Sequence, residues 1–129
     1  MKIGLEQSGV FSKSCQRDRG RCRYCDRYLL NSLDDFASIH LDHLIPKCKG
    51  EADDDVSNRV ISCSLCNLLK GQFDPRKTLL VEQPNLATNF EALLRCARSY
   101  VERRRGGTPG SSFLNDYASW SCEREEWGK

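Results

Sequence analysis

Apolar residues recur at helical spacing over only one long stretch of the chain. Between residues 86 and 105, Leu86, Phe90, Leu93, Leu94, Ala97, Tyr100 and Val101 fall on one face, which predicts an amphipathic helix. Thr88 with Glu91 reads as a capping box, and Gly106 and Gly107 as the stop. The other apolar clusters are short. Phe11 and Cys15, four apart, predict a small helix over 11–19 that Gly20 ends. Residues 38–45 carry β-branched and aliphatic side chains and predict a strand that Pro46 stops. Val60 and Ile61 predict a second short strand, and residues 63–70 a short helix ended by Gly71. Residues 26–36 read as an irregular connection anchored by Tyr28, Leu29 and Leu30, and Asp74-Pro75 as the start of a turn. Residues 1–10 carry no pattern; in the tail, Phe113, Tyr117 and Trp120 suggest a segment that packs back on the core. The expected fold class is α+β in one domain. Its central part spans about residues 17–75, its helical extension 86–105 and its tail 106–129.

Composition changes this picture in one respect. The chain has 129 residues, is 39% hydrophobic and is 29% charged, so its core should be small. Eight cysteines are available as staples. The first ten residues contain no apolar run of a leader peptide, and no stretch is long and apolar enough to span a membrane. A cytoplasmic, reducing setting is therefore expected, where cysteines more often bind metal than pair. Two C-x-x-C pairs, Cys22/Cys25 and Cys63/Cys66, have the spacing that brings two thiolates of one turn to a tetrahedral ion. Together they predict a closed four-sulfur zinc site. A redox C-x-x-C is the competing reading, but no βαβ pattern surrounds either pair. Cys15 and Cys96 fall on apolar helix faces and read as small core residues; Cys48 and Cys122 have no assigned role.

The net charge is only +2, so partner class cannot be read from the overall balance. Basic residues nevertheless cluster: Arg17, Arg19, Arg21, Arg23 and Arg27 near the first cysteine pair, Lys47 and Lys49 after the histidines, and Arg95, Arg98 and Arg103–Arg105 on the long helix. Such patches suit phosphate contacts, although ordinary solvated surface explains any single arginine as well.

Between the knuckles stand Asp42-His43-Leu44-Ile45-Pro46, Lys49-Gly50 and Asn58-Arg59-Val60. The second knuckle continues as Cys66-Asn67-Leu68-Leu69-Lys70-Gly71. In this order the motifs resemble the zinc-containing branch of the HNH nuclease superfamily, the ββα-metal or His-Me finger nucleases. The resemblance implies a ββα core carrying a nuclease site. By position, Asp42 and Asn67 would hold a catalytic divalent cation, Mg²⁺ or Mn²⁺. His43 would act as general base on water, and Asn58 would orient His43. Lys70, on the helix face of Asn67, would contact phosphate together with Lys47, Lys49 and Arg23. Products with 5′-phosphate and 3′-hydroxyl ends are implied. Gly50 is followed by Glu51 where many relatives have a second glycine, which weakens the expectation that this acidic loop touches DNA.

The chemistry has its own logic. A neutral imidazole accepts a proton near pH 7, and a hard cation on few oxygen ligands keeps positions for water and phosphate. His40 shares the strand face of Asp42 and reads more readily as structural than as a ligand. The expected partner is DNA, with RNA or branched DNA as alternatives. One such site cuts one strand at a time, so a double-strand break would need a homodimer or two events. The rival from another class is a zinc ribbon that binds nucleic acid without cutting it. It explains the cysteines and arginines but leaves Asp42, His43 and Asn67 unaccounted for.

Overall fold

The computed structural model describes residues 9–46, 56–79, 84 and 86–107. The expectations for Lys47, Lys49 and the acidic loop, for Cys48 and Cys122, and for the aromatic tail lie outside the described residues.

The first helix, α1, runs Gly9–Asp18. Phe11 is buried on its inner face and meets Phe36 edge-on, with ring centroids 6.4 Å apart. Cys15, on the same face, is half-buried against the core. Arg19 and Gly20 both take left-handed backbone, which ends the helix. At Gly20 a Cβ would lie 2.7 Å from Leu30 Cδ1, so the turn needs a residue without one.

The connection that follows is more regular than its sequence suggests. Arg21 bridges Tyr28 across the first cysteine pair, and Leu29 is fully buried, whereas Tyr28 and Leu30 stay exposed. A short helix, α2, covers Leu33–Ala37; the Ser32 side chain caps it by accepting from Asp35 N.

Strands β1 (His40–His43) and β2 (Arg59–Ser62) form an antiparallel pair in which Leu41 faces Ile61 and Asp42 faces Val60. Ile61 turns its own backbone groups outward. Its N–H donates to the Asp18 carboxylate at 3.0 Å, and its carbonyl accepts from Arg23 N at 2.8 Å. The sheet edge is thereby covered by α1 and the first knuckle. β1 is shorter than the predicted 38–45 for a specific reason. Leu44 and Ile45 are buried but leave the ladder, because Asn58 takes their backbone. Leu44 N donates to the Asn58 carbonyl, Ile45 N to Asn58 Oδ1, and Asn58 Nδ2 donates to the Ile45 carbonyl.

Helix α3, Ser64–Lys70, opens on Cys63 and closes at Gly71, whose φ is 50°. β1, β2 and α3 make a ββα unit, with α1 and α2 before it and the long helix after it. A 3-10 turn at Pro75–Lys77, capped by Asp74, leads toward that helix. Helix α4 runs Leu86–Glu102 and buries Leu93, Leu94, Ala97 and Val101, the stripe read from the sequence. Its start differs from expectation. Thr88 lies inside the helix and donates to Asn89 Oδ1, and Asn89 has non-helical backbone, so the expected box does not mark the beginning. Beyond Glu102 the chain makes a π-helical turn, Arg103–Gly107. Phe73 stacks on Tyr100 at 3.9 Å, fixing the exit of α3 against α4. No helix among the described residues is long and apolar enough to cross a membrane.

Candidate active site and metal centre

The two knuckles meet. The sulfurs of Cys22, Cys25, Cys63 and Cys66 all lie within 4.8 Å of one another, and Cys25 Sγ is 3.9 Å from Cys63 Sγ. Four thiolates bound tetrahedrally at about 2.3 Å would stand roughly 3.8 Å apart, so the cluster fits one metal ion such as zinc. Local backbone sets this geometry. Tyr24 N donates to Cys22 Sγ at 3.4 Å, and Cys66 N to Cys63 Sγ at 3.5 Å. Asp26 takes left-handed backbone and donates its N–H to the Cys22 carbonyl, closing the first turn. Hydrogen bonding with Cys22 first, and then with Cys63 and Cys66, pulls Cys25 toward thiolate; bonding with Cys22 does the same for Cys63, with Cys25 opposing. Hydrogen bonding within the cluster pushes Cys22 and Cys66 the other way. Sulfurs placed to share protons in this way are also placed to share a cation.

Arginines brace this centre. Arg23 donates to Asp18 Oδ1 at 2.5 Å and lies 3.4 Å from Glu91 on α4. Arg17 donates to both oxygens of the same Asp18, to the Val56 carbonyl and to the Arg59 carbonyl. Arg98 holds α4 to the knuckle through the Arg23 carbonyl at 2.7 Å and the Asp26 carboxylate. Arg104 donates to the Leu69 carbonyl, and Arg105 approaches Cys66 Sγ at 3.9 Å. Arg23 and Arg98, both expected as phosphate contacts, are thus engaged within the chain, Arg23 with two carboxylates and Arg98 with one carboxylate and a backbone carbonyl. Asp18, buried at the centre of the network, was not singled out from the sequence, where nothing distinguishes it from a surface acid.

The second group of residues surrounds Asp42, whose side chain is only 10% exposed. Tyr24, from inside the first knuckle, donates its hydroxyl to Asp42 Oδ2 at 2.5 Å. Lys70, from the last turn of α3, places Nζ 3.7 Å from the same oxygen and donates to the His43 carbonyl at 3.0 Å. Burial pushes the Asp42 carboxyl above its ordinary value, against the pull of Lys70 and Tyr24. Burial likewise pulls the Lys70 ammonium down, with Asp42 opposing. The Tyr24 phenol is raised by burial and by the carboxylate it faces.

The Lys70 side chain, expected as a phosphate contact, has no exposure and ties α3 to the Asp42-His43 segment. Asn67 lies one turn before Lys70 on the same helix face, half-buried, and its helix packs on β1. His43 is half-buried at the end of β1, opposite Arg59. Asn58 is fully buried and braces the backbone after His43, at Leu44 and Ile45. His40 is exposed and meets Ser64 Oγ at 3.2 Å, a link between β1 and the start of α3.

Tyr24 was missed by the sequence reading. Its one signal is an aromatic residue between two metal-type cysteines, and that signal names no partner.

Residues 22–73 match the family model described as HNH endonuclease. A comparison with curated proteins finds no match. The matched span takes in both knuckles, the ββα unit and every residue of the Asp42 cluster.

Proposed function

We propose that the chain, which carries an HNH endonuclease domain over residues 22–73, is a metal-dependent endonuclease that hydrolyses DNA phosphodiester bonds. The observation that carries this reading is the bonding of Lys70. One ammonium, on the helix that carries Asn67, lies 3.7 Å from the Asp42 carboxylate and donates to the His43 carbonyl, so it links that helix to the Asp42-His43 segment. In this reading zinc occupies the four-cysteine cluster as a structural ion, held by Cys22, Cys25, Cys63 and Cys66.

Asp42 and Asn67 supply one carboxylate and one amide oxygen, a sparse hard donor set suited to Mg²⁺ or Mn²⁺. When bound there, such an ion supplies Lewis-acid stabilisation of charge on the phosphate and leaving oxygens. His43 takes a proton from the attacking water through its neutral imidazole. The Lys70 bond fixes its carbonyl and Asn58 fixes the two residues after it, so the ring is carried on a backbone held at both ends. Arg95 and Arg103, exposed on α4 and its terminal turn, join Lys47, Lys49, Lys70 and Arg23 as candidates for backbone phosphate contacts.

The test is supercoiled plasmid incubated with zinc-loaded protein in Mg²⁺, Mn²⁺ or chelator, beside His43→Ala. Nicking that requires the divalent ion, and that falls about 10²–10⁴-fold in the variant, is expected. If folded wild type leaves plasmid, RNA and branched DNA intact in every metal, the reading is wrong and a binding module replaces it.

A further inference from the structure

Asp42 is tethered through one of its two oxygens. Tyr24 Oη, at 2.5 Å, and Lys70 Nζ, at 3.7 Å, both address Oδ2. Among the described residues Oδ1 accepts no hydrogen bond, and the Asp42 side chain keeps 10% of its surface exposed. Tyr24 is itself enclosed. It is buried between Cys22 and Cys25, its N–H is bonded to Cys22 Sγ, and its phenol has few torsions to adjust. The position of its hydroxyl is thus set by the four-sulfur cluster. The 3.7 Å between Lys70 and the carboxylate is longer than a direct hydrogen bond. A carboxylate released from Tyr24 would swing toward the ammonium and close that gap.

Resting on the nuclease reading above, we propose that Tyr24 is a positioning residue. Its hydroxyl holds Asp42 Oδ2, so that Oδ1 alone is presented to the catalytic cation, and the zinc knuckle thereby sets the affinity of the second metal site. The phenol thereby links the two metal centres, beside the link that Asn67 makes by following Cys66 on α3. Partners that hold a ligating group in this way commonly govern affinity by 10–100-fold.

The experiment is Mn²⁺ binding to the zinc-loaded full chain, read from the electron paramagnetic resonance of free Mn²⁺, for wild type and Tyr24→Phe. Zinc content and melting temperature are measured in parallel. The variant should keep its zinc, bind Mn²⁺ about tenfold or more weakly, and need correspondingly more Mn²⁺ for half-maximal nicking, with a maximal rate near wild type. Unchanged Mn²⁺ affinity in a zinc-loaded Tyr24→Phe protein overturns the proposal and leaves the nuclease reading standing. Wild type that neither binds Mn²⁺ nor cuts overturns both. Should the phenylalanine variant lose zinc, 3-fluorotyrosine placed at position 24 of the otherwise native chain decides instead. Its ¹⁹F resonance should move as Mg²⁺ is added, with the midpoint of nicking; a resonance that stays fixed while nicking is activated overturns the proposal.

Discussion

The four-sulfur cluster and the Asp42 cluster share two segments of chain, yet they are held in opposite ways. Residues 22–25 give two sulfurs to the first and Tyr24 to the second; residues 63–70 give two sulfurs to the first and Asn67 and Lys70 to the second. In the sulfur cluster, backbone N–H groups meet sulfur, a helix cap coincides with a ligand, and the surrounding arginines meet carboxylates and carbonyls. In the Asp42 cluster, burial outweighs the partners. The carboxyl is pushed up and the ammonium beside it is pulled down, although each favours the charge of the other. A region whose groups are mutually satisfied stabilises the fold. A region that keeps charges desolvated beyond what its neighbours offset costs stability, and groups perturbed in this way are commoner at functional sites than elsewhere.

The sharpest way to break this comparison is to empty the sulfur cluster. Structural zinc contributes about 10 kcal/mol or more of apparent binding energy, comparable to the whole stability of a small domain. Stripping zinc with a strong chelator, or Cys66→Ser, should therefore abolish the cooperative melt followed by circular dichroism. An apo protein that melts within a few degrees of the holo form would show that the arginine network, not the metal, is the staple.

Next in size is Asp18, the buried acid shared by Arg17 and Arg23 and by Ile61 N. Asp18→Ala leaves two guanidiniums facing each other without their anion and should cost about 3–5 kcal/mol in urea unfolding. In the other cluster the same kind of change should register in rate. Lys70→Met keeps the length of the side chain but removes the bond to the His43 carbonyl. Nicking should fall about 10–100-fold with zinc retained, and the loss of stability should be smaller than for Asp18→Ala. The reverse order of stabilities would mean that Lys70 serves the fold first.

Much of this architecture could be read before the structure, because the informative spacings are local. The cysteine gaps, the Asp42-His43 pair, the two short strands, the helix stopped by Gly71 and the apolar stripe of α4 all depend on periods of a few residues. What could not be read depends on where long side chains end. Arg23, Arg98 and Lys70 look like phosphate ligands in a sequence, and each finds an intramolecular partner supplied by distant chain. Lys70 does share a helix face with Asn67, as its spacing requires, but the packing of that face on β1 turns it inward. Tyr24 makes the same point, since its partner lies across the sheet in β1. α2 was missed for a different reason. Five residues with an exposed Leu33 give no periodicity, although Ser32 followed by Asp35 carried a capping signal.

The smallest expected effect sharpens the comparison from within. Asp74 lies just past α3, close enough for its charge to favour that of Lys70, and its side chain, like that of Asp42, is largely covered. Here, however, the balance goes the other way. Burial alone would raise its carboxyl, but bonds from the Arg76 side chain and backbone hold it below the ordinary value. A carboxyl depressed in the folded state contributes stability that is present above its unfolded value, near 3.8, and is lost as pH falls through the lower folded value. Asp74 also caps the turn at Pro75–Lys77, so Asp74→Ala should cost about 1 kcal/mol at neutral pH. The difference from wild type, followed by urea midpoints from pH 6 downward, should narrow once the wild-type carboxyl is protonated. Asp74→Asn, which keeps an acceptor for the cap but no charge, should fall between the two at neutral pH. If the Asp74→Ala deficit instead stayed constant into acid, the charge would contribute nothing, and Asp74 would be a hydrogen-bonding cap alone.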